Sequence, residues 1–180
     1  MEHTLIVLKP DAVARGLIGE VITRLERLGL AFERIELRRA SRELIEQHYP
    51  SDEVWLASVG EKTLGDYSRT GVDPLRELGT DSPVAIGKMV KAWLVDFMTE
   101  GPVLAMVVSG NRAIEVVRKA VGSTIPVAAA PGSVRGDYST DSPDLANKER
   151  RPVRNLIHAS GDAAEAAREI KLWFGDVAAG

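Results

Sequence analysis

The stretch from Arg154 to Asp162, Arg-Asn-Leu-Ile-His-Ala-Ser-Gly-Asp, carries the histidine best placed for chemistry. Leu156 and Ile157 are apolar and β-compatible, which sets His158 at or near the end of a short strand. Ser160 and Asp162 offer N-caps for a following helix, because residues 163–174 are rich in helix formers. Backbone N–H groups and the helix dipole favour an anion at such a helix start. Lys148, Arg150, Arg151 and Arg154 lie just upstream. A largely neutral imidazole beside concentrated positive charge suits phosphate chemistry. A lone histidine in a strand is more often a buried or capping residue, so the case for His158 depends on the rest of the chain.

The elements that must position it follow from periodicity. Residues 4–8 are a short apolar run, read as a buried strand, and Pro10 ends its ladder in a turn. From Gly16 the period changes, and Leu17, Ile18, Val21, Ile22, Leu25 and Leu28 make one helical stripe closed by Gly29. Residues 30–40 read as a second strand, with Ile35 and Leu37 on one face. Ser41 caps a short helix through His48 and Tyr49, and Pro50 breaks it. Residues 50–82 are less regular, with Gly60, Gly65, Gly71, Pro74 and Gly79 punctuating short amphipathic pieces. Val54, Trp55, Leu56, Leu64 and Leu75 need partners there, so the stretch reads as an excursion on the domain.

Asp81 or Ser82, followed by Pro83, opens a helix striped by Ile86, Met89, Val90, Trp93, Leu94, Phe97 and Met98. Gly101-Pro102 closes it, and residues 103–108 form a third buried strand. A helix with Ile114, Val117 and Val121 inward stops at Gly122. Residues 123–151 read as a long, mostly irregular loop, and long ordered loops tend to be functional. The fourth strand ends near His158, and a last helix runs to Trp173 and Phe174. This order predicts an α+β sandwich with helices over an antiparallel sheet.

Composition sets the bounds. A length of 180 residues implies one domain, with a real core and no need of staples. Cysteine is absent, which excludes disulfides, thiolate catalysis and cysteine-ligated zinc. His3, His48 and His158 are too scattered along the chain to suggest a histidine metal site. A net charge of −3 argues against a nucleic-acid partner. The N-terminus lacks a basic n-region and no apolar run approaches membrane-spanning length, so no membrane partner is expected and the default location is the cytoplasm. Neither a Gly-rich dinucleotide fingerprint nor a GxxxxGK[ST] loop follows the first strand.

Lys9-Pro10-Asp11-Ala12-Val13, then Arg15-Gly16-Leu17-Ile18-Gly19-Glu20, resembles the opening of the nucleoside diphosphate kinases. His48-Tyr49, Gly101-Pro102-Val103, the run from Pro131 to Asp137, Asn155 to Ser160, and Glu169 to Phe174 resemble later blocks of that family, in its order. They cover most of residues 4–49 and 84–174; each is weak alone, and together they are specific. The resemblance implies a ferredoxin-like core, with a four-stranded antiparallel sheet covered by helices. It implies ping-pong transfer of the γ-phosphate of ATP, or another nucleoside triphosphate, to a nucleoside diphosphate through a phosphohistidine at His158. It also implies roles residue by residue. Lys9 and Tyr49 would contact the transferring phosphoryl group, and Arg118, Thr124 and Arg135 would hold the other phosphates. Asn155 would bond the ribose. Glu169, with Ser160 nearby, would fix the tautomer of His158. Mg²⁺ would be held mainly by the nucleotide phosphates, with no protein metal site, and a homo-oligomer, a tetramer or hexamer, is expected.

The chain also departs from the family's pattern. Residues 50–82 and the loop over 138–151 exceed the usual lengths, so the expectation is one kinase domain over 1–180 with an insertion and an extended loop. The aromatic that stacks on the base is missing; the corresponding positions fall near Met89 and Val90, with Leu94 beyond. Trp55, Trp93 or an aliphatic wall would have to substitute. Gly161-Asp162 replaces the usual acidic-then-serine order. Two other readings share the fold: a non-catalytic nucleotide-sensing module, and a structural oligomerisation domain.

Overall fold

A strand that is apolar at every position is shielded on both faces, and such strands lie in the middle of a sheet. The computed structural model, which describes residues 1–175, follows this rule. Residues 176–180, the end of the domain expected over 1–180, lie outside the described residues. In chain order the elements are β1 (Glu2–Leu8), α1 (Pro10–Ala14), α2 (Ile18–Arg27), β2 (Ala31–Arg38), α3 (Arg42–His48), α4 (Glu53–Thr70) and α5 (Pro74–Leu78). Then come α6 (Pro83–Thr99), β3 (Val103–Gly110), α7 (Ala113–Val121), α8 (Val134–Tyr138), α9 (Pro143–Lys148), β4 (Ile157–Ala159) and α10 (Ala163–Phe174). The strands form one antiparallel sheet in the order β2-β3-β1-β4. The fully buried β3 and the mostly buried β1 take the central places.

Strand alternation sends side chains to two cores. Ile6, Leu8, Met106 and Val108 pack with Val21 and Leu25 of α2 and with Val117 and Val121 of α7. On the opposite face, Leu5, Val7 and Ala105 pack with Ile45 of α3, Val95 and Met98 of α6, and Trp173 of α10. This is the expected α+β fold: a ferredoxin-like antiparallel sheet with helices on both sides. β2 is an edge strand, where Ile35 and Leu37 are 49% and 58% exposed.

The caps fall where short polar side chains stand. Ser41 accepts a hydrogen bond from the Leu44 N–H, Asp52 from Trp55, Ser82 from Ala85 and Asp162 from Glu165. Three expectations need correction. Pro10 does not end in a turn but starts α1, as its missing N–H and fixed φ allow at a first helical position. Residues 50–82 hold an 18-residue helix rather than short pieces. Val54 and Leu75 find no cover, at 81% and 53% exposed, whereas Leu56 is buried. The stretch over 123–151 is mostly irregular, as expected, with the two short helices α8 and α9 within it.

The glycines of α4 and α6 are contacts. A Cβ on Gly60 would stand 1.9 Å from the Pro83 carbonyl oxygen, and one on Gly87 would stand 2.0 Å from that of Leu56. The two helices therefore touch backbone to backbone, which no larger residue permits. α9 packs against α4, and the Arg150 side chain donates to the Glu77 carbonyl of α5 at 2.7 Å. The expected insertion and the expected extended loop thus lie against one another. Among the described residues no helix is long and apolar enough to cross a membrane.

Candidate active site

β4 runs antiparallel to β1, pairing Leu8 with Ile157 and Val7 with His158. Lys9 follows β1 directly, so sheet register alone brings its backbone to the segment before His158. The Lys9 ammonium donates to Asn155 Oδ1 at 2.7 Å, and the Asn155 amide donates to the Thr124 carbonyl at 2.9 Å. Lys9, Tyr49, Leu94, Arg118, Thr124, Arg135, Asn155 and His158 all line one cavity of about 380 Å³. Ser160 and Glu169 lie behind it, buried. Val90, expected at the base, is not on its lining.

His158 is oriented from α10. Its Nε2 stands 2.8 Å from Glu169 Oε2, and that oxygen also accepts from the Ser160 hydroxyl at 2.7 Å. With Nε2 engaged by the carboxylate, Nδ1 is the ring nitrogen outside this bond, and a carboxylate that accepts there corresponds to the Nε2–H tautomer. The side chain is 18% exposed, enough to be reached. Burial, with Lys9 and Arg135 nearby, pushes its pKa down to about 3, so the ring is neutral near pH 7. Burial pushes the Glu169 carboxyl up, against the opposing effects of His48 and Ser160.

His48 is a residue that sequence separation concealed. Its ring lies 4.5 Å from that of His158, edge to face, and its Nδ1 accepts from the Trp173 indole N–H at 3.2 Å. Burial, and then His158, lowers its pKa to about 3. Two of the three scattered histidines thus converge: ligand atoms of His48, His158 and Glu169 lie within 4.8 Å of one another. Hydrogen bonds from Trp173 and Ser160 already occupy lone pairs in this group. The only hint in the sequence was the His48-Tyr49 pair.

Positive charge in the cavity comes from Lys9, Arg118 and Arg135. The basic run is turned elsewhere. Arg151 makes a bidentate pair with Asp141 at 2.6 and 3.0 Å, and Arg150 reaches α5. Arg135 is buried and directs Nε, Nη1 and Nη2 at the carbonyls of Asn155, Gly122 and Ile157. Of its five N–H donors, two remain for a ligand. Burial lowers its pKa to about 10, with Arg118 adding to the effect. Asp137 does not pair with it; it pairs with Arg24 of α2 at 2.8 Å. Lys9 falls to about 8, first through burial and then through Arg135.

The Tyr49 hydroxyl is buried, lines the cavity and has no hydrogen-bond partner. An orphaned hydroxyl of this kind is costly unless a ligand completes it. Trp55 stacks near the Tyr49 ring, at 6.3 Å between centroids, and Trp93 lines a different cavity with Arg150 and Arg151. Of the candidates for the base wall, Leu94 is the one on the cavity lining. Lys91 is a further residue not singled out from sequence: its ammonium donates to the carbonyls of Glu46 and Tyr49, at 3.0 and 2.8 Å, tying α6 to the end of α3. Gly161-Asp162 proves to be a helix start, where Asp162 caps the Glu165 N–H and the Gly161 N–H donates to the Glu165 carboxylate.

The chain is similar to known proteins in sequence and in fold. The sequence profile described as nucleoside diphosphate kinase matches residues 2–54 and 85–178, leaving out 55–84. A nucleoside diphosphate kinase of Pyrobaculum aerophilum is 55% identical over 97% of this chain and 95% of its own length. One from Thermobifida fusca is 38% identical over 99% of this chain and its full length. The crystal structure of an NDP kinase from Pyrobaculum aerophilum superposes with a TM-score of 0.94 at 54% identity, covering 96% of this chain and 95% of that one. The nucleoside-diphosphate kinase of Borrelia burgdorferi, solved as a transition-state mimic with bound vanadate and ADP, gives 0.75 at 35% identity over 97% and 88%. Strand order, convergent motifs and these likenesses agree, and the chain belongs to the nucleoside diphosphate kinase family.

Proposed function

We propose that this nucleoside diphosphate kinase works through His158 Nδ1. In the first half-reaction the Nδ1 lone pair attacks the γ-phosphorus of ATP or another nucleoside triphosphate. The N–P bond forms, the bond to the β-bridging oxygen breaks, and the nucleoside diphosphate leaves with the electron pair. The Nε2–H stays on the ring, so the phosphorylated imidazole carries positive charge that Glu169 stabilises. The second half-reaction is the reverse, with a different diphosphate as acceptor. The observation that carries this reading is the bond from His158 Nε2 to Glu169, which leaves a neutral nitrogen facing a cationic cavity.

The other residues position and stabilise, which is most of what phosphoryl transfer asks of a protein. Lys9 and the Tyr49 hydroxyl contact the transferring phosphoryl group. Arg118, Thr124 and the two spare donors of Arg135 hold the remaining phosphates. Asn155, already between Lys9 and Thr124, bonds the ribose. Leu94 on the cavity lining, with Val90 one turn earlier in the same helix and off that lining, gives the base an apolar wall. The cavity lining is rich in cations and has one carboxylate, Glu165. That suits Mg²⁺ arriving as part of the nucleotide, held mainly by its phosphates. The chain acts in the cytoplasm as one kinase domain, in a homo-oligomer, a tetramer or hexamer, with the half-exposed Ile35 and Leu37 on the β2 edge as surface to be covered.

The test is exchange between two nucleotides, for instance GTP with ADP, followed by formation of ATP. The wild-type chain should form ATP with kinetics in which the two substrates bind alternately. His158→Ala should reduce exchange to background while still binding ADP. Exchange at the wild-type rate in that variant would refute the assignment and favour another nucleophile.

A further inference from the structure

Leu156 lies between Asn155 and His158 in a conformation that L-residues avoid. Its φ is +68°, it is fully buried, and the Ile157 N–H donates to the Asn155 carbonyl at 2.8 Å across it. An i to i+2 bond closed around a residue of positive φ is the rare, strained form of the γ-turn. A leucine does not hold such a turn unaided, so the surroundings must over-determine it. Three contacts do so. The Lys9 N–H donates to the Leu156 carbonyl at 2.8 Å, and the Arg135 Nε–H donates to the Asn155 carbonyl at 3.1 Å. The third is Asp11, whose Oδ2 accepts from the Leu156 N–H at 3.1 Å while Oδ1 accepts from the Ala12 N–H at 3.0 Å.

We propose that Asp11 is a positioning residue for the phosphoryl transfer: its carboxylate holds the Leu156 γ-turn, and the turn sets Asn155 against Lys9 and His158 into the sheet. The proposal rests on the kinase reading above. Asp11 does not line the His158 cavity, so it acts through the turn and not on the nucleotide. It is the side chain that satisfies the Leu156 N–H, and without it a backbone donor next to a fully buried side chain would lose its partner. Its second effect points the same way: its charge supports the protonated state of both Lys9 and Arg135. The turn has apolar support too, because the Leu156 side chain sits in the core with Ile6 and Leu8 of β1. Asp11 therefore locks a turn whose side chain is already anchored.

Three full-length variants test this, with labelled ATP, single-turnover phosphorylation of His158, steady-state exchange and thermal midpoints. Asp11→Ala should phosphorylate about a hundredfold more slowly, the usual result of a misplacement near 1 Å, with a much smaller change in KM for the nucleotide. Asp11→Asn keeps an oxygen where the Leu156 N–H points and should recover most of the rate. Asp11→Glu keeps the charge but moves the oxygen by one methylene, and should stay nearly as slow as Asp11→Ala. If Asp11→Ala does not fold, the order Asn faster than Glu still decides. The reverse order would mean that charge and not the turn matters, and would overturn the proposal. Variants with lowered midpoints but wild-type phosphorylation rates would overturn it as well, by making Asp11 a structural residue only. A wild-type chain that takes no label at His158 would defeat the kinase reading and this proposal with it; a labelled wild type matched by all three variants would defeat this proposal alone.

Discussion

Lys9 shows how one residue sets a pH limit. Its ammonium is buried beside Arg135, and its pKa falls to about 8. A lysine with a lowered folded pKa loses its charge as pH rises through that value, and the cavity then loses a phosphate contact. kcat/KM reports the free protein, so its alkaline limb should turn down near pH 8. Lys9→Arg should move that limb upward, beyond the working range, at some loss of rate because a planar fork does not replace a compact ammonium. A limb that stays in place in this variant would assign it to another group. His158 sets no matching acid limb near its ordinary value, because its ring is already neutral well below pH 6.

At the scale of elements, the α4 and α6 pair makes the sharpest demand on sequence. Gly87→Ala would place a methyl group against the Leu56 backbone, where no flexible side chain can give way. Overpacking of this kind costs about 1–3 kcal/mol, to be read from the urea midpoint. An unchanged midpoint would show that the two helices separate easily. The same glycines explain what was hard to read. Gly60 looked like punctuation within residues 50–82, since glycine is a weak helix former, yet it is the contact point of an 18-residue helix. Propensity is local, and the Pro83 carbonyl that demands a glycine there is distant in sequence. By contrast α2, α3, α7 and α10 were legible, because each joins a clear apolar stripe to a cap or a terminal glycine. In the site, the ordered motifs hold Lys9, Tyr49, Arg135, Asn155 and His158, which line the cavity, whereas the expected Val90 does not. The pairing of His48 with His158, and the left-handed Leu156 under Asp11, depend on strand register and could not be read from spacing.

The whole molecule carries the cost of two neutral histidines, His48 buried and His158 partly so. His48 and His158 are pushed from 6.5 down to about 3 in the folded chain. The unfolded chain therefore binds more protons as pH falls below 6.5, and stability is lost across the window from 6.5 to 3. Each ring contributes at most about 1.4 kcal/mol per pH unit in that window. Glu169, pushed up by burial, acts in the opposite sense, but it is one group against two. Urea midpoints measured between pH 7 and pH 4 should fall, and His48→Gln should flatten the fall. A flat profile in the wild type would mean that the rings are protonated in the folded state.

That neutral state bears directly on the central claim, that His158 is the nucleophile. The most direct measurement is incubation of the full chain with ATP labelled at the γ-phosphate, with Mg²⁺ and no acceptor. The expected result is a stoichiometric phosphoprotein, labile in acid and stable in base, with ADP released in equal amount and the label on Nδ1 of His158. Label on Ser160 or on a carboxylate, or ADP formed without any phosphoprotein, would contradict it.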